Sequence, residues 1–155
     1  MDARQFRIDV VRPALKAVEL HSGDAEALVM GTAAQESHFE YVRQLGGGPA
    51  LSFFQMEPAT HDDIWENYLR FRPQISGLVR TAIDYGNEGR PSAERLLWDM
   101  RYSAIMCRLQ YRRFPDLLPS EHDIWAMAAL WKRRYNTQGG AGTEQEFVDN
   151  YRRVK

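Results

Sequence analysis

Proline and glycine constrain the fold of this chain more than any other feature, because they divide a helical hydrophobic pattern into short pieces. Apolar residues recur at helical spacing from Phe6 to Leu20, and again in a longer stretch between Ser92 and Pro115. Serine, threonine or aspartate begins most of these stretches, where such side chains cap a first turn. The pattern predicts a mainly α protein with about seven helices, and the stretch that begins at Ser92 should be the most buried of them.

One region departs from the helical pattern, near residues 45–57. Residues 46–49 read Gly-Gly-Gly-Pro, which permits turns that other residues resist. Residues 51–54, Leu-Ser-Phe-Phe, form a short run of the kind found in strands. We therefore expect a short irregular or β-like loop region here, between helices on either side.

Length and charge narrow the classes of protein further. At 155 residues the chain has the length of one domain, which we assign to residues 1–155. With 20 basic and 21 acidic residues, its formal charge of −1 gives no global attraction to nucleic acid or to anionic lipid. We expect no nucleic-acid partner and, because no apolar stretch approaches the roughly 20 residues of a membrane span, no membrane insertion.

Targeting, metal and redox signals are weak. Met1 to Glu19 contains scattered charges and no apolar run typical of a signal peptide, so we expect synthesis in the cytoplasm. Histidine and cysteine do not occur at metal-ligand spacing, which predicts neither a metal site nor a cofactor. The lone Cys107 lies among apolar residues and should be a buried, inert thiol.

Glu36 is the residue on which a catalytic interpretation depends. If residues 25–37 form one helix, Glu36 lies on the same face as Val29, Thr32 and Ala33. A carboxyl in apolar surroundings is disfavoured as an anion, so its pKa rises and it can hold a proton for general acid catalysis near neutral pH. The alternative is that Glu36 ends the helix in solvent and has no special role.

Three segments follow one another along the chain: Glu36-Ser37, residues 49–60 and Tyr135-Asn136. In this order they resemble the family of lytic transglycosylases with a lysozyme-like fold. In that family a Glu-Ser pair ends a helix, a loop follows with the pattern Gly-Ala-x-Gly-Leu-Met-Gln-x-x-Pro-x-Thr, and a Tyr-Asn-Ala-Gly turn comes later. The resemblance covers about residues 25–142, and it implies a single lysozyme-like helical domain.

The chain also differs from the family pattern. Ser52 stands where the family has glycine, Gly46 stands where it often has serine, and Thr137-Gln138 separate Tyr135-Asn136 from the next glycine. Divergence of this kind is common in phage-encoded members. The resemblance thus implies that the protein acts at the cell wall, which it would reach by export, at lysis or in a virion. Virion or lysis-system proteins are then possible partners.

By this resemblance, the substrate is the peptidoglycan glycan strand and the catalytic acid is Glu36. One Glu protonates the bond between N-acetylmuramic acid and N-acetylglucosamine, then accepts the proton of the muramoyl 6-hydroxyl as that oxygen closes on C1. Ser37 would hydrogen-bond near the substrate or steady the acid, and Gln55 would bind N-acetyl or hydroxyl groups of the sugar. Phe54 would bind or support the substrate. Tyr135 would orient the carboxyl of Glu36 or stabilise the developing charge, and Asn136 would hold the turn. Without the resemblance, Gln55 is equally well a loop amide and Tyr135 a tyrosine at the edge of the core.

Three alternatives stay open at the level of sequence. A hydrolytic muramidase on the same fold would need a second carboxylate in the cleft, for which Glu57 is a candidate. A virion structural component or wall-binding module could keep the fold without the activity, and the altered Ser52 and Thr137-Gln138 positions favour that rival. A nucleic-acid-binding helical module is disfavoured by the charge balance.

Overall fold

A computed structural model describes residues 1–136 and 140–155, and most of this part of the chain is helical. The prediction of a mainly α protein is therefore confirmed. Eight helical segments lie within the described residues: α1 (residues 3–17), α2 (Gly23–Ser37), α3 (Pro58–Asn67), α4 (Pro73–Ala82), α5 (Arg95–Trp98), α6 (Met100–Arg112), α7 (residues 124–136) and α8 (Glu144–Val154). A single 3₁₀ turn among them, Leu69–Phe71, joins α3 to α4.

The difference from the seven predicted helices arises at Asp99. The hydrophobic pattern between Ser92 and Pro115 predicts one helix, but the backbone of Asp99 leaves helical geometry, with φ −104° and ψ 91°. Its carboxylate accepts a hydrogen bond from the backbone N–H of Tyr102 at 3.0 Å, and this caps a new helix. The predicted helix is consequently split into α5 and α6.

Helix α6 forms the centre of the core. Every residue from Tyr102 to Tyr111 is buried, as the sequence predicts for this stretch. Helices α1, α2, α3 and α7 all pack against it. Cys107 lies within this helix with no exposed surface, and burial raises the pKa of its thiol. In the described part of the chain, no helix is long and apolar enough to cross a bilayer.

Helices α2 and α8 approach each other closely at Gly31. A β-carbon built on Gly31 would lie 2.5 Å from Cζ of Phe147, so only glycine fits at this crossing. The ring of Phe147 in turn packs against the indole of Trp131, with 5.6 Å between ring centroids. Close packing at Gly31 therefore brings the end of α7 beside the end of α2.

The region between α2 and α3 is the β-like loop that the sequence predicts. Isolated bridges pair Leu51 with Arg43 on one side and with Met56 on the other. Between Leu51 and Met56 the chain makes a tight turn in which Ser52 has φ 67° and Gln55 has φ 48°. These left-handed conformations are unusual for residues other than glycine.

Candidate active site

A cleft of about 540 Å³ opens where α2 ends. Its walls come from the β-like loop, from the end of α6, and from the end of α7 together with Gly140. Four of the residues singled out from sequence meet there: Glu36, Gln55, Tyr135 and Asn136 all line the cleft. Side chains that are as many as a hundred positions apart in the sequence thus share one surface.

Glu36 is the penultimate residue of α2. The helix ends because His38 adopts a left-handed conformation, with φ 52°, and turns the chain away. The side chain of Glu36 is partly exposed in the cleft, and its Oε1 accepts a hydrogen bond from Nε1 of Trp131 at 2.8 Å. The acid is therefore held by a neutral donor rather than by a cation.

The surroundings of Glu36 favour its neutral form. Burial raises the pKa of Glu36 to about 7, and the hydrogen bond from Trp131 offsets part of that rise. Glu36 also lies at the carboxyl end of a helix, where the helix dipole disfavours a negative charge. A carboxyl with a pKa close to the ambient pH can both donate and accept a proton, as general acid–base catalysis requires.

Trp131 donates the hydrogen bond to Glu36, a contact that the sequence patterns do not predict. It lies 95 positions after Glu36, and neither helical periodicity nor a motif relates the two. Its indole is completely buried, and Gly142 packs directly on it: a β-carbon at Gly142 would lie 2.7 Å from Cη2 of Trp131. The available signal is the presence of glycines after α7, because glycine at position 142 allows this close approach.

Lys132 forms hydrogen bonds to the backbone that contains Gly140 and Gly142. Its Nζ donates hydrogen bonds to Oδ1 of Asn136 at 2.8 Å and to the carbonyls of Gly140 and Gly142 at 2.9 and 2.6 Å. Lys132 thus links Asn136 to the backbone at positions 140 and 142. The predicted disturbance at Thr137-Gln138 lies outside the described residues.

The structure assigns Tyr135 a different hydrogen bond from the one that the resemblance implies. Its hydroxyl donates to the backbone carbonyl of Phe54 at 2.9 Å, and its ring stacks on Tyr111 with 5.4 Å between centroids. Burial raises the pKa of Tyr135, so the hydroxyl stays a neutral donor. Tyr135 anchors the β-like loop, and the hydrogen bond to the carboxyl of Glu36 comes instead from Trp131.

Gln55 has both of its expected roles available. Its Nε2 donates to the backbone carbonyl of Ser52 at 2.7 Å, which stabilises the tight turn, while the side chain lines the cleft. The hydroxyl of Ser52 accepts a hydrogen bond from the N–H of Phe54 at 3.2 Å and supports the same turn.

Ser37 and Phe54 do not reach the cleft with their side chains. Both side chains are fully buried. The hydroxyl of Ser37 donates to the carbonyl of Ala33 and accepts from the N–H of Phe39, both at 3.3 Å. The ring of Phe54 packs against Phe6, with 6.2 Å between centroids. Ser37 supports the helix end and Phe54 supports the loop, which is the supporting role that the sequence motifs allow for both residues.

The cleft wall contains three further polar side chains. The hydroxyl of Tyr41 donates to the backbone carbonyl of Glu36 at 3.0 Å and stabilises the last turn of α2. Glu57, the exposed candidate from the sequence motif, adds a second carboxylate at the start of α3. Arg113 also lines the cleft and pairs with Asp63.

Neither a metal site nor a known relative adds to this description. Across residues 1–136 and 140–155, no three metal-ligating side chains come together. Comparison of the chain with protein-family models, with curated proteins and with solved structures found no match. The lysozyme-like fold and the family therefore stay predictions that rest on the sequence motifs.

Proposed function

We propose that this protein cleaves the glycan strand of peptidoglycan at the β-1,4 bond between N-acetylmuramic acid and N-acetylglucosamine, as a lytic transglycosylase. The observation that carries the proposal is the state of Glu36: a carboxyl in an open cleft, with its pKa raised to about 7 by burial and a neutral hydrogen-bond donor at 2.8 Å. Gln55 and Tyr135, which the sequence motifs single out independently, line the same cleft.

The chemistry requires Glu36 to act twice. Protonated Glu36 gives its proton to the glycosidic oxygen, and the bond from that oxygen to C1 of the muramoyl residue breaks. The carboxylate then accepts the proton of the muramoyl 6-hydroxyl while O6 bonds to C1. This yields a 1,6-anhydromuramoyl end and an N-acetylglucosamine leaving group, and it returns Glu36 to its protonated form. The N–H of Trp131 stabilises the carboxylate that exists between the two proton transfers.

The backbone of the β-like loop also supports the proposal. Ser52 stands where the resembled family has glycine, and its φ of 67° is a conformation that glycine adopts most easily. The hydrogen bonds that Ser52 makes to Phe54 and Gln55 stabilise that conformation without a glycine. A substitution that weakens the sequence motif is thus compatible with the turn that the motif would need.

Hydrolysis by a muramidase is the second candidate, and Glu57 is the observation that favours it. Its exposed carboxylate lines the cleft that contains Glu36. A second carboxylate could activate a water molecule for attack at C1. The products would then carry reducing ends instead of anhydro ends.

Mass spectrometry of the soluble products from purified peptidoglycan tests the proposal. The wild-type chain, Glu36→Gln and Glu57→Gln would be compared, with circular dichroism to verify that each variant is folded. We expect anhydromuropeptides from the wild type and from Glu57→Gln, and none from Glu36→Gln.

Other outcomes point elsewhere. If the wild type instead releases reducing-end products, and both substitutions abolish them, the protein is a muramidase and not a transglycosylase. If no wall type yields products although the wild type binds it, the chain is a wall-binding or virion structural protein and the enzymatic proposal is wrong.

A further inference from the structure

A second pocket, of about 490 Å³, lies between α3, α4 and the loop that contains Gly89 and Arg90. None of the described residues lines both this pocket and the cleft. Its size falls within the usual range for small-molecule sites. The proposed glycan cleavage assigns no role to it.

The floor of the pocket is apolar and rigid. Its accessible part is formed by the exposed Pro73 and by Trp65, which is 5% exposed, and the fully buried Leu69 lies behind them. The indole N–H of Trp65 donates to the hydroxyl of Tyr102 at 2.7 Å, which fixes the plane of the ring. A flat apolar group could therefore pack here without reorganising the protein.

The rim of the pocket carries three arginines, and Arg80 is fixed in position. Its Nε donates to the carbonyl of Gly89 at 2.9 Å and its Nη1 to the hydroxyl of Ser76 at 3.4 Å. These contacts hold the guanidinium 5.3 Å from the centre of the Trp65 ring. The cation is thus already oriented over the apolar floor.

The arginines differ in how their charge is compensated. Arg90 pairs with Glu66 at 2.5 Å and with Asp62 at 3.7 Å, so its charge is largely neutralised. The ion pairs formed within residues 1–136 and 140–155 include neither Arg70 nor Arg80. The pocket therefore carries excess positive charge above an apolar floor, which is complementary to an anion attached to an apolar group.

We propose that this pocket binds a small organic anion, with a phosphate or carboxylate group between Arg70 and Arg80 and an aromatic or aliphatic part against Pro73 and the exposed part of Trp65. Guanidinium groups bind such oxyanions through charge-assisted hydrogen bonds. The inference is independent of the cleavage proposed for Glu36, so either can fail without the other.

Nuclear magnetic resonance with three probes tests the pocket: phenyl phosphate, inorganic phosphate and phenol. The reporters are the indole N–H of Trp65, assigned with Trp65→Phe, and the Nε–H of Arg80. We expect phenyl phosphate to shift both signals and to bind at least about tenfold more tightly than either phosphate or phenol, because it alone uses both halves of the pocket. Phenylacetate in place of phenyl phosphate distinguishes a carboxylate site from a phosphate site.

Charge-removing variants complete the test. Arg80→Gln and Arg70→Gln should each weaken the binding of phenyl phosphate by about tenfold or more, the usual effect of losing a hydrogen bond to a charged group. Arg70 is exposed, so Arg70→Gln keeps the test valid if Arg80→Gln does not fold. Arg101→Gln, an exposed position on α6, is the matched control and should bind as the wild type does. Unshifted Trp65 and Arg80 signals at millimolar phenyl phosphate, or equal binding by all three variants, would overturn the proposal.

Discussion

Helix α2 has one glutamate near each end, and the pKa of the side chain is lowered at one end and raised at the other. Glu26, in the first turn, is 5% exposed, and Glu36, in the last turn, is partly exposed in the cleft. Both are withdrawn from water to a degree that by itself would raise the pKa. The contrast between them separates what burial does from what the hydrogen-bond donors do.

At the amino end, the donors are charged. Arg12 donates two hydrogen bonds to the carboxylate of Glu26, each 2.9 Å long, and Nε2 of His21 lies 2.9 Å from it. Burial alone would raise the pKa of Glu26, but these hydrogen bonds and the charges of Arg12 and Arg7 hold it below its ordinary value. The helix dipole also favours an anion at this end.

At the carboxyl end, the donor is neutral and the dipole is unfavourable. Trp131 provides one N–H to Glu36, which is not enough to offset burial, and the pKa rises to about 7. The comparison teaches that a withdrawn carboxyl becomes an ion-pair partner or a proton donor according to the charge of its neighbours. Glu26 is therefore an ion-pair partner, whereas Glu36 can hold a proton near neutral pH.

The largest expected effect is on catalysis. Glu36→Gln should reduce the rate of glycan cleavage by about 10²- to 10⁴-fold, the usual contribution of a general acid. Glu26→Gln, on the same helix, should keep the wild-type rate per folded molecule. The measurement is release of soluble muropeptides under identical conditions. Equal losses in the two variants would mean that the difference between the helix ends is structural only.

Stability should show the next effect, at Glu26. Glu26→Gln should lower the free energy of unfolding at pH 7 by about 1–3 kcal/mol, because hydrogen bonds to a charged group are lost. A carboxyl whose folded pKa is lowered stabilises the fold above its unfolded pKa, and this contribution disappears as the pH falls through the folded pKa. Urea denaturation at pH 7 and near pH 3 should accordingly give a large and then a small difference. A constant difference would contradict the ion-pair explanation.

Glu36 should give a stability effect of the opposite sign. Its pKa rises from 4.5 to about 7 on folding, so ionisation costs stability increasingly between these two pH values. Glu36→Gln removes that cost, and the variant should be more stable than the wild type at pH 8 by about 1–2 kcal/mol, after allowance for partial exposure. The two proteins should be equally stable near pH 4. A variant that is less stable at pH 8 would show that the carboxylate is well solvated or paired.

The smallest effect should come from the neutral donor. Trp131→Phe keeps most of the packing but removes the N–H that stabilises the carboxylate of Glu36. The pKa of Glu36 should then rise further, which moves the alkaline limb of the pH–rate profile upward and lowers the rate about tenfold, the size of one hydrogen bond to a charged group. Trp125→Phe, at an exposed position of the same helix, is the control and should leave the profile unchanged.

The carboxyl end of α2, with Glu36, was more predictable from sequence than the amino end, with Glu26. Helical spacing relates Glu36 to Val29, Thr32 and Ala33, and so it predicts a carboxyl on an apolar face with a raised pKa. The pairing of Glu26 with Arg12 depends on how α1 crosses α2, which local periodicity does not contain. Its effect on the charge of Glu26 appears only in the structure.

The contacts that build the cleft likewise join residues that are far apart in the sequence. Glycines at positions 46–48 and after α7 predict two irregular segments, and residues beside both of these glycine clusters line the cleft. The donor to Glu36 could not be predicted, because Trp131 reaches it through the packing of α8 against α2 at Gly31. Similarly, the hydrophobic pattern of α5 and α6 is continuous, and only the side-chain cap at Asp99 separates them.

Titration of the glutamate side-chain carbons by ¹³C nuclear magnetic resonance measures directly whether the two ends of α2 shift the pKa in opposite directions. The signals of Glu26 and Glu36 would be assigned with Glu26→Gln and Glu36→Gln. We expect Glu36 to titrate near pH 7 and Glu26 to titrate below its ordinary value of 4.5. If Glu36 instead titrates near 4.5, it is an ordinary carboxylate at neutral pH, and the proposal that it acts as the proton donor of this cleft is wrong.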